Sequence, residues 1–227
     1  RDTPMNMNEY SDEEMLAINL ANVLAGKLTA ALMVEDSVTF VVPGGSTPGP
    51  VFDALCDSDL DWSRVTVILS DERWVPPDDP RSNAALIRDR LLTGRAAAAT
   101  FVPFYTGTDT PEEALTELEA QLEPLLPVSV ALLGMGTDMH TASLFPRGDN
   151  LRLALDAEAP ILVPMRAEGL DCARVTLSAR VLEEALNLHL VILGQAKRDA
   201  LERALTLPPE EAPVAAVLDD IEVHWAA

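Results

Sequence analysis

The segment 134–146, Gly-Met-Gly-Thr-Asp-Met-His-Thr-Ala-Ser-Leu-Phe-Pro, carries the clearest acid–base pair in the chain, Asp138 and His140. An imidazole with an ordinary pKa of about 6.5 exchanges protons near neutral pH, and a nearby carboxylate can orient it and stabilise its charged form. The segment follows residues 128–133, an apolar run typical of a buried strand. We predict that His140 is a general base that activates water, with Asp138 as its partner.

Two other uses of these residues stay open at this point. A Ser–His–Asp hydrolase would use Ser143 as the nucleophile, but the chain has no Gly-x-Ser-x-Gly elbow, and Ser143 lies on the same short segment as His140. A histidine that caps a helix beginning at residues 141–144 is the structural alternative. The other histidines fit structural roles: His189 interrupts an apolar strand and is predicted in the core or at an edge, and His224 is predicted at the surface.

A glycine-rich loop follows the strand predicted at residues 38–43 and consists of Gly44, Gly45, Ser46 and Thr47. Glycines let the backbone approach an anion, and the N–H groups and two hydroxyls of such a loop can bind phosphate oxygens at the start of a helix. The loop lacks the Gly-Lys-Ser/Thr of a Walker loop and the dinucleotide fingerprint. It predicts a phosphate site, with an ordinary tight turn as the alternative.

Two basic residues follow other predicted strands. Arg73 lies in residues 70–77, Ser-Asp-Glu-Arg-Trp-Val-Pro-Pro, and its planar guanidinium suits phosphate or carboxylate. Lys197, one of two lysines in the chain, opens a helix after the strand predicted at residues 188–193. A solvated turn and a surface lysine are the structural alternatives. Because ligands in open α/β sheets bind at the carboxyl ends of the strands, we expect both side chains near the segment 134–146.

Composition limits the classes of partner. The 227 residues, with 48% hydrophobic and 23% charged side chains, can bury a sizeable core, and we predict a single domain, residues 1–227. The net charge of −21 argues against nucleic acid and anionic membranes as partners. No apolar stretch approaches the roughly 18–20 residues of a membrane span, and the polar N-terminus shows no signal peptide. Cys56 and Cys172 form neither a disulfide framework nor a zinc motif, which favours a reducing cytoplasm.

Strand, loop and helix alternate along the chain. Strands are predicted at residues 38–43, 65–69, 101–105, 128–133, 161–163, 174–178 and 188–193, with one or two closing strands at 214–218 and 221–225. Helices are predicted from Ser11, which begins a Ser-x-x-Glu capping box, to residue 33, and at 48–55, 83–92, 110–126, 181–187 and 194–205. The alternation predicts an α/β fold of three layers, with a doubly wound, mostly parallel sheet and helices on both faces.

The chain resembles the glucosamine-6-phosphate isomerase/6-phosphogluconolactonase family, and within it the lactonases. The matching motifs run in family order over nearly the whole chain: Gly44-Gly45-Ser46-Thr47-Pro48, Asp71-Glu72-Arg73-Trp74-Val75-Pro76 with Ser82-Asn83, Gly134-Met135-Gly136 with Asp138, His140-Thr141-Ala142-Ser143-Leu144-Phe145-Pro146, Arg174-Val175-Thr176-Leu177, and Gly194 with Lys197. Deaminases of this fold have an Ile-Ala-Phe-Asn-Glu-Pro type of run after their histidine. The Thr-Ala-Ser-Leu-Phe-Pro run of this chain therefore favours a lactonase.

The resemblance implies hydrolysis of 6-phospho-D-glucono-1,5-lactone to 6-phosphogluconate, the second step of the pentose phosphate pathway, in the cytoplasm and without a metal, nucleotide or other cofactor. It implies that His140 is the general base and that Asp138 lies beside it. By the same resemblance, Arg73 and Lys197 bind the phosphate with the glycine-rich loop, and Arg174 makes a substrate or structural contact. The implied partner is a small phosphorylated sugar lactone, and the implied assembly is a monomer or a homodimer.

One residue departs from the family pattern, because Met139 stands where the family usually has glycine between the aspartate and the histidine. If the position needs a positive φ, methionine is strained there; if it needs only a small residue, the side chain narrows the pocket. Two other functions remain open: a sugar-phosphate deaminase or aldose–ketose isomerase of the same fold, and a non-catalytic sugar-phosphate sensor. The sequence shows no helix-turn-helix extension of the kind that a DNA-binding sensor would need.

Overall fold

The computed structural model of the protein describes residues 5–227, so residues 1–4 of the predicted domain lie outside the described part. Its strands are β1 (Asn6–Tyr10), β2 (Val38–Val42), β3 (Val65–Leu69), β4 (Asp71–Arg73), β5 (Thr100–Val102), β6 (Val130–Leu133), β7 (Leu162–Met165), β8 (Arg174–Leu177), β9 (Asn187–Leu193) and β10 (Glu222–Ala226). Seven of them form one sheet in the order β1-β10-β9-β6-β2-β3-β5, and every neighbouring pair is parallel. β2 and β6 are buried along their whole length, as central parallel strands are.

The chain reverses its direction across this sheet between β2 and β6. From β2 it moves to β3 and β5 on one side, and it then returns to β6, β9 and β10 on the other. Since parallel crossovers are right-handed, this reversal places the connecting helices on both faces of the sheet. The predicted doubly wound α/β fold is therefore confirmed.

The helices are α1 (Glu13–Leu32), α2 (Gly49–Leu55), α3 (Asn83–Arg90), α4 (Leu115–Leu122), α5 (Leu151–Leu155), α6 (Ala179–Glu183) and α7 (Gln195–Ala204). The carboxylate of Asp12 accepts a hydrogen bond of 2.8 Å from the backbone N–H of Met15, so Asp12 caps α1. The prediction that Ser11 caps this helix is wrong by one residue. Both residue types are good caps, and only the backbone geometry distinguishes them.

A second sheet, of three antiparallel strands in the order β4-β8-β7, was not predicted. The strands expected at residues 161–163 and 174–178 exist, but they pair with β4 and with each other instead of joining the parallel sheet. An apolar run indicates a strand without indicating its partner. Residues 214–218, predicted as a strand, overlap the short 3-10 helix Pro213–Val217, and the polar edge strand β1 was missed.

Helix α1 is long and apolar enough to cross a membrane by length and composition, and it is the one such helix among residues 5–227. The expectation that no apolar stretch approaches that length is therefore wrong. Core helices meet the same criterion, and Leu16, Leu20, Leu24 and Leu28 of α1 are buried at a spacing of one helical turn. The helix also contacts β2, β6 and β10, so its apolar side is accounted for by the core.

Two histidines lie buried together where β9, β10 and β1 meet. The Nδ1 of His189 lies 3.0 Å from the Nε2 of His224, and the Nδ1 of His224 lies 2.9 Å from the hydroxyl of Tyr10. The buried position of His189 is as predicted, whereas the prediction of a surface location for His224 is wrong. The reason is β1, which pairs outside β10 and turns an apparent edge strand into an interior one.

Candidate active site

A cavity of about 240 Å³ opens at the carboxyl ends of β2, β3, β6 and β9, beside the reversal between β2 and β6. Open α/β sheets bind their ligands at this position. Eight of the nine predicted site residues line this cavity: Gly44, Gly45, Ser46, Thr47, Arg73, His140, Arg174 and Lys197. The ninth, Asp138, does not. Asp138 contacts the ring of His140 instead.

The imidazole of His140 is held between a carboxylate and an aromatic ring. Its Nδ1 lies 2.5 Å from the Oδ1 of Asp138, which also accepts the backbone N–H of His140 at 3.1 Å. The ring of Phe145 packs against it with 4.6 Å between centroids. Burial raises the pKa of Asp138, but the hydrogen bonds from His140 outweigh it and bring this pKa below its usual value. An ionised Asp138 accepts a hydrogen bond from Nδ1–H, and in this tautomer the Nε2 of neutral His140 keeps a lone pair that can act as a base.

A tight turn presents this histidine to the cavity. The N–H of Gly136 donates to the carbonyl of His140 at 3.0 Å, and a Cβ at Gly136 would overlap the His140 ring. The predicted helix start at residues 141–144 is wrong, because Ala142 has a φ of 49° and the N–H of Leu144 donates to the carbonyl of Thr141. The interpretation of His140 as a helix cap is therefore wrong as well.

Met139 has a φ of 68°, in the left-handed region that favours glycine. Its carbonyl accepts the N–H of Val214 at 3.0 Å, and its N–H donates to the carbonyl of Gly136 at 2.9 Å. The side chain packs against the core and does not line the cavity. Of the two consequences considered for methionine at this position, backbone strain applies and narrowing of the pocket does not.

Arg73 and Arg174 form the cationic wall of the cavity. They occupy opposite positions of the antiparallel β4–β8 pair, and within the described residues the Nε of each is buried without a hydrogen-bond partner. Burial, together with the charge of Arg73, lowers the pKa of Arg174 below its ordinary value, but a guanidinium stays charged at neutral pH. Buried donors and like charges at this proximity are stabilised by an anion, so the wall is suited to a phosphate or carboxylate.

Lys197 and the glycine-rich loop also belong to the lining. Lys197 lies in the first turn of α7, shortly after Gly194, whose φ of 84° turns the chain from β9 into the helix. Gly45 has a φ of 86°, and a Cβ on Gly44 would overlap the Asn83 amide. Glycine is therefore required at both loop positions for different reasons, one conformational and one steric.

Asp71 is a buried carboxylate of the lining that the sequence-based prediction did not select. It accepts the hydroxyl of Ser143 at 2.5 Å and that of Ser70 at 2.6 Å. The hydroxyl of Ser143 therefore donates to Asp71 and not to His140, which argues against Ser143 as the nucleophile of a Ser–His–Asp hydrolase. The available signal was the position of Asp71 two residues after β3, but its partner Ser143 lies 72 residues away in the sequence, and only the fold brings the two together.

Glu72 was also missed, and it joins the second sheet to α3. Its fully buried carboxylate accepts the backbone N–H groups of Arg73, Asn83 and Ala84 at 2.8 to 2.9 Å. Burial raises the pKa of Glu72 to about 7, although these three N–H groups favour its ionised form. The Asn83 side chain in turn donates to the carbonyl of Asp71 and packs on Gly44. Glu72 thus holds the backbone of Arg73 directly and supports the glycine-rich loop through Asn83.

The chain is similar to known proteins over its whole length. Residues 11–225 match the family described as glucosamine-6-phosphate isomerases/6-phosphogluconolactonase. A 6-phosphogluconolactonase of Rhizobium meliloti (strain 1021) is 40% identical, over 97% of this chain and 98% of its own, and one of Pseudomonas aeruginosa is 42% identical, over 92% and 90%. The crystal structure of a 6-phosphogluconolactonase from Shewanella baltica OS155 has a TM-score of 0.95 at 31% identity and covers 99% of each chain.

Proposed function

The chain belongs to the glucosamine-6-phosphate isomerase/6-phosphogluconolactonase family, and we propose that it hydrolyses 6-phospho-D-glucono-1,5-lactone to 6-phospho-D-gluconate with His140 as the general base. The names of its relatives support the lactonase reaction. The observation that supports the role of His140 is its hydrogen bond with Asp138 at the rim of a cavity in which Arg73 and Arg174 each have a buried Nε without a partner among residues 5–227.

Binding begins with the phosphate in this proposal. A phosphate ester carries a charge of about −1.5 to −2 near pH 7. Arg73 offers a forked donor, Lys197 a point charge, and residues 44–47 offer backbone N–H groups and two hydroxyls. These groups offset the repulsion of a chain with net charge −21 and place the lactone ring toward His140.

Hydrolysis then follows from the position of the His140 ring. Nε2 takes a proton from a water molecule, and the resulting hydroxide attacks C1 of the lactone. The negative charge moves to the carbonyl oxygen, where Arg174 and backbone N–H groups of the glycine turns can stabilise it. When the C1–O bond of the ring breaks, the imidazolium returns its proton to the leaving ring oxygen, and Asp138 stabilises the charged ring between the two transfers.

No metal or organic cofactor takes part in these steps. The remaining predictions belong to this proposal: residues 1–227 act as one catalytic domain, as a monomer or a homodimer in the cytoplasm, with a small phosphorylated sugar lactone as the partner.

The test is lactone hydrolysis measured above the spontaneous rate, with the purified chain and freshly generated 6-phosphogluconolactone. Ammonia release from glucosamine 6-phosphate is measured in parallel. We expect lactone turnover and no ammonia. Ammonia release without lactone turnover would indicate the deaminase reaction, and binding of 6-phosphogluconate without turnover of either substrate would indicate a sensor.

A further inference from the structure

Three charged residues outside the cavity, Arg81, Asp79 and Asp171, form a clamp of ion pairs that holds the guanidinium of Arg73. The Nη1 of Arg73 donates to the backbone carbonyl of Arg81 at 2.7 Å. This contact and the hydrogen bond from the backbone N–H of Arg73 to Glu72 fix both ends of the Arg73 residue, while its Nε has no partner in the described part of the chain. The direction in which Arg73 points therefore depends on where the carbonyl of Arg81 lies.

The side chain of Arg81 fixes that carbonyl from two directions. Its Nε and Nη2 donate to the two carboxylate oxygens of Asp79 at 3.0 and 2.8 Å, and Asp79 also accepts the backbone N–H of Arg81 at 2.8 Å. Its Nη1 donates to Asp171 at 3.1 Å. Asp79 lies in the loop that follows β4, and Asp171 lies in the loop that precedes β8. Arg81 thus links the two loops that flank the arginine pair.

We propose that Arg81, with Asp79 and Asp171, is a positioning residue for anion binding by Arg73. Arg81 does not line the cavity, so it acts through Arg73 and not on the substrate. A guanidinium on a flexible stem loses conformational entropy when it binds phosphate, and prior anchoring reduces that loss. The inference rests on the proposed phosphate role of Arg73. It adds that ion pairs outside the site, which salt screens, support this role.

The exposed location of the clamp makes it suitable for mutation. The side chains of Arg81 and Asp171 are 40% and 66% exposed, so their replacement leaves the core intact. Arg95 and Asp59 form an ion pair of 2.8 Å at another part of the surface and supply a matched control. A single exposed ion pair has a small effect on stability or binding. Arg81→Ala removes two such pairs, with Asp79 and Asp171, and we expect it to raise KM for the phosphorylated lactone by about three- to tenfold.

The experiment compares KM and kcat for Arg81→Ala, Arg81→Lys, Asp171→Asn, Arg95→Ala and Arg73→Ala, at low and at physiological salt. We expect Arg81→Ala to raise KM, and the inhibition constant of 6-phosphogluconate by the same factor, while kcat changes less than about twofold. Arg81→Lys and Asp171→Asn should have smaller effects, and Arg95→Ala none. Added salt should reduce the difference between Arg81→Ala and the parent, since it screens the clamp.

The inference is overturned if Arg73→Ala raises KM and Arg81→Ala behaves like Arg95→Ala. It is also overturned if Arg81→Ala lowers kcat at unchanged KM, because a residue that positions Arg73 for binding should raise KM and leave kcat nearly unchanged. If Arg73→Ala itself leaves KM unchanged, the phosphate role of Arg73 fails and the inference fails with it. Lactone turnover by the parent protein is a separate result, so these failures remain distinguishable from failure of the lactonase assignment.

Discussion

Arg73 and Arg174 lie directly opposite each other on β4 and β8, and each keeps a buried Nε without a protein partner within residues 5–227. Two like charges at adjacent positions of an antiparallel pair destabilise a sheet unless something compensates them. Here both guanidinium groups line the same cavity. The chain as a whole has a net charge of −21, so this cavity is locally cationic in an acidic protein. Under the proposed function, the pair binds the anionic substrate, which would compensate the two charges.

Replacing His140 by alanine should remove turnover and retain binding. Loss of a general base lowers kcat by about 10²–10⁴-fold, while the phosphate contacts remain. The measurements are kcat for the lactone, the affinity for 6-phosphogluconate and the circular dichroism spectrum. Asp138→Asn should give a smaller loss of kcat, since the base remains but its charged form is less stabilised. An unchanged kcat for His140→Ala would exclude the proposed role.

Replacing Arg73 by alanine should discriminate between phosphorylated and unphosphorylated lactones. A charge-assisted hydrogen bond contributes about 1.5–3 kcal/mol, which corresponds to roughly 10- to 150-fold in affinity. We expect a loss of that size in kcat/KM for 6-phosphogluconolactone and little change for gluconolactone. Arg95→Ala serves as the control for loss of a surface arginine. Equal losses for both lactones would contradict a phosphate role.

Met139 offers a test of strain in the turn that carries His140. A left-handed φ is unfavourable for residues with a Cβ by about 1–2 kcal/mol, and Met139 has a φ of 68°. We expect Met139→Gly to be more stable than Met139→Ala by about 1 kcal/mol, since both lose the same packing and only glycine removes the strain. Urea unfolding of the two variants measures this difference. At an unstrained position the glycine variant would be less stable than the alanine variant. A lower stability of Met139→Gly than of Met139→Ala would therefore refute the prediction.

The buried histidine pair predicts a loss of stability in weak acid. Burial lowers the pKa of His189 and of His224 to about 4; Glu222 counteracts this effect for both, and Lys27 adds to it for His189. Because these pKa values lie below the ordinary 6.5, the contribution of the pair to stability is complete above pH 6.5 and is lost as the pH falls toward 4. When the folded and unfolded pKa of a group differ by about one, the free energy of unfolding changes by about 1.4 kcal/mol, so we expect the pair to account for a loss of several kcal/mol.

The double variant His189→Leu/His224→Phe isolates that contribution. It removes both titrating rings and leaves the carboxylates of the chain in place, including Glu72, whose raised pKa acts in the opposite direction between pH 4.5 and 7. Urea unfolding at pH 7 and pH 5 should show a steeper loss of stability for the parent than for the double variant. Parallel pH profiles would show that the two histidines do not titrate on unfolding.

The predictable part of the site consists of features that are local in sequence. The glycine-rich loop, Arg73, His140 and Lys197 each follow an apolar run, and the runs are β2, β3, β6 and β9 in the structure. Their convergence follows from a general property of parallel sheets, in which the carboxyl ends lie at one edge. The hydrogen bond between Asp138 and His140 is equally local, because the two residues are two positions apart.

The unpredicted part depends on pairs that are distant in sequence. The Asp71–Ser143 hydrogen bond, the placement of Arg174 opposite Arg73 and the burial of His224 beneath β1 each join segments that no local pattern relates. A hydrophobic run shows that a strand is buried, but the choice of its neighbour is a global free-energy comparison among all possible pairings.

The sequence by itself therefore determined the alternation of strands and helices, the glycine-rich loop after β2 and the histidine–carboxylate pair, because burial periodicity and turn chemistry act over a few residues. The tertiary structure alone decided that β4, β7 and β8 form a separate sheet, that two arginines share one wall, and that the φ at Met139 is positive. These features arise from packing and hydrogen bonding between distant segments, whose free energies appear only when the whole chain is folded.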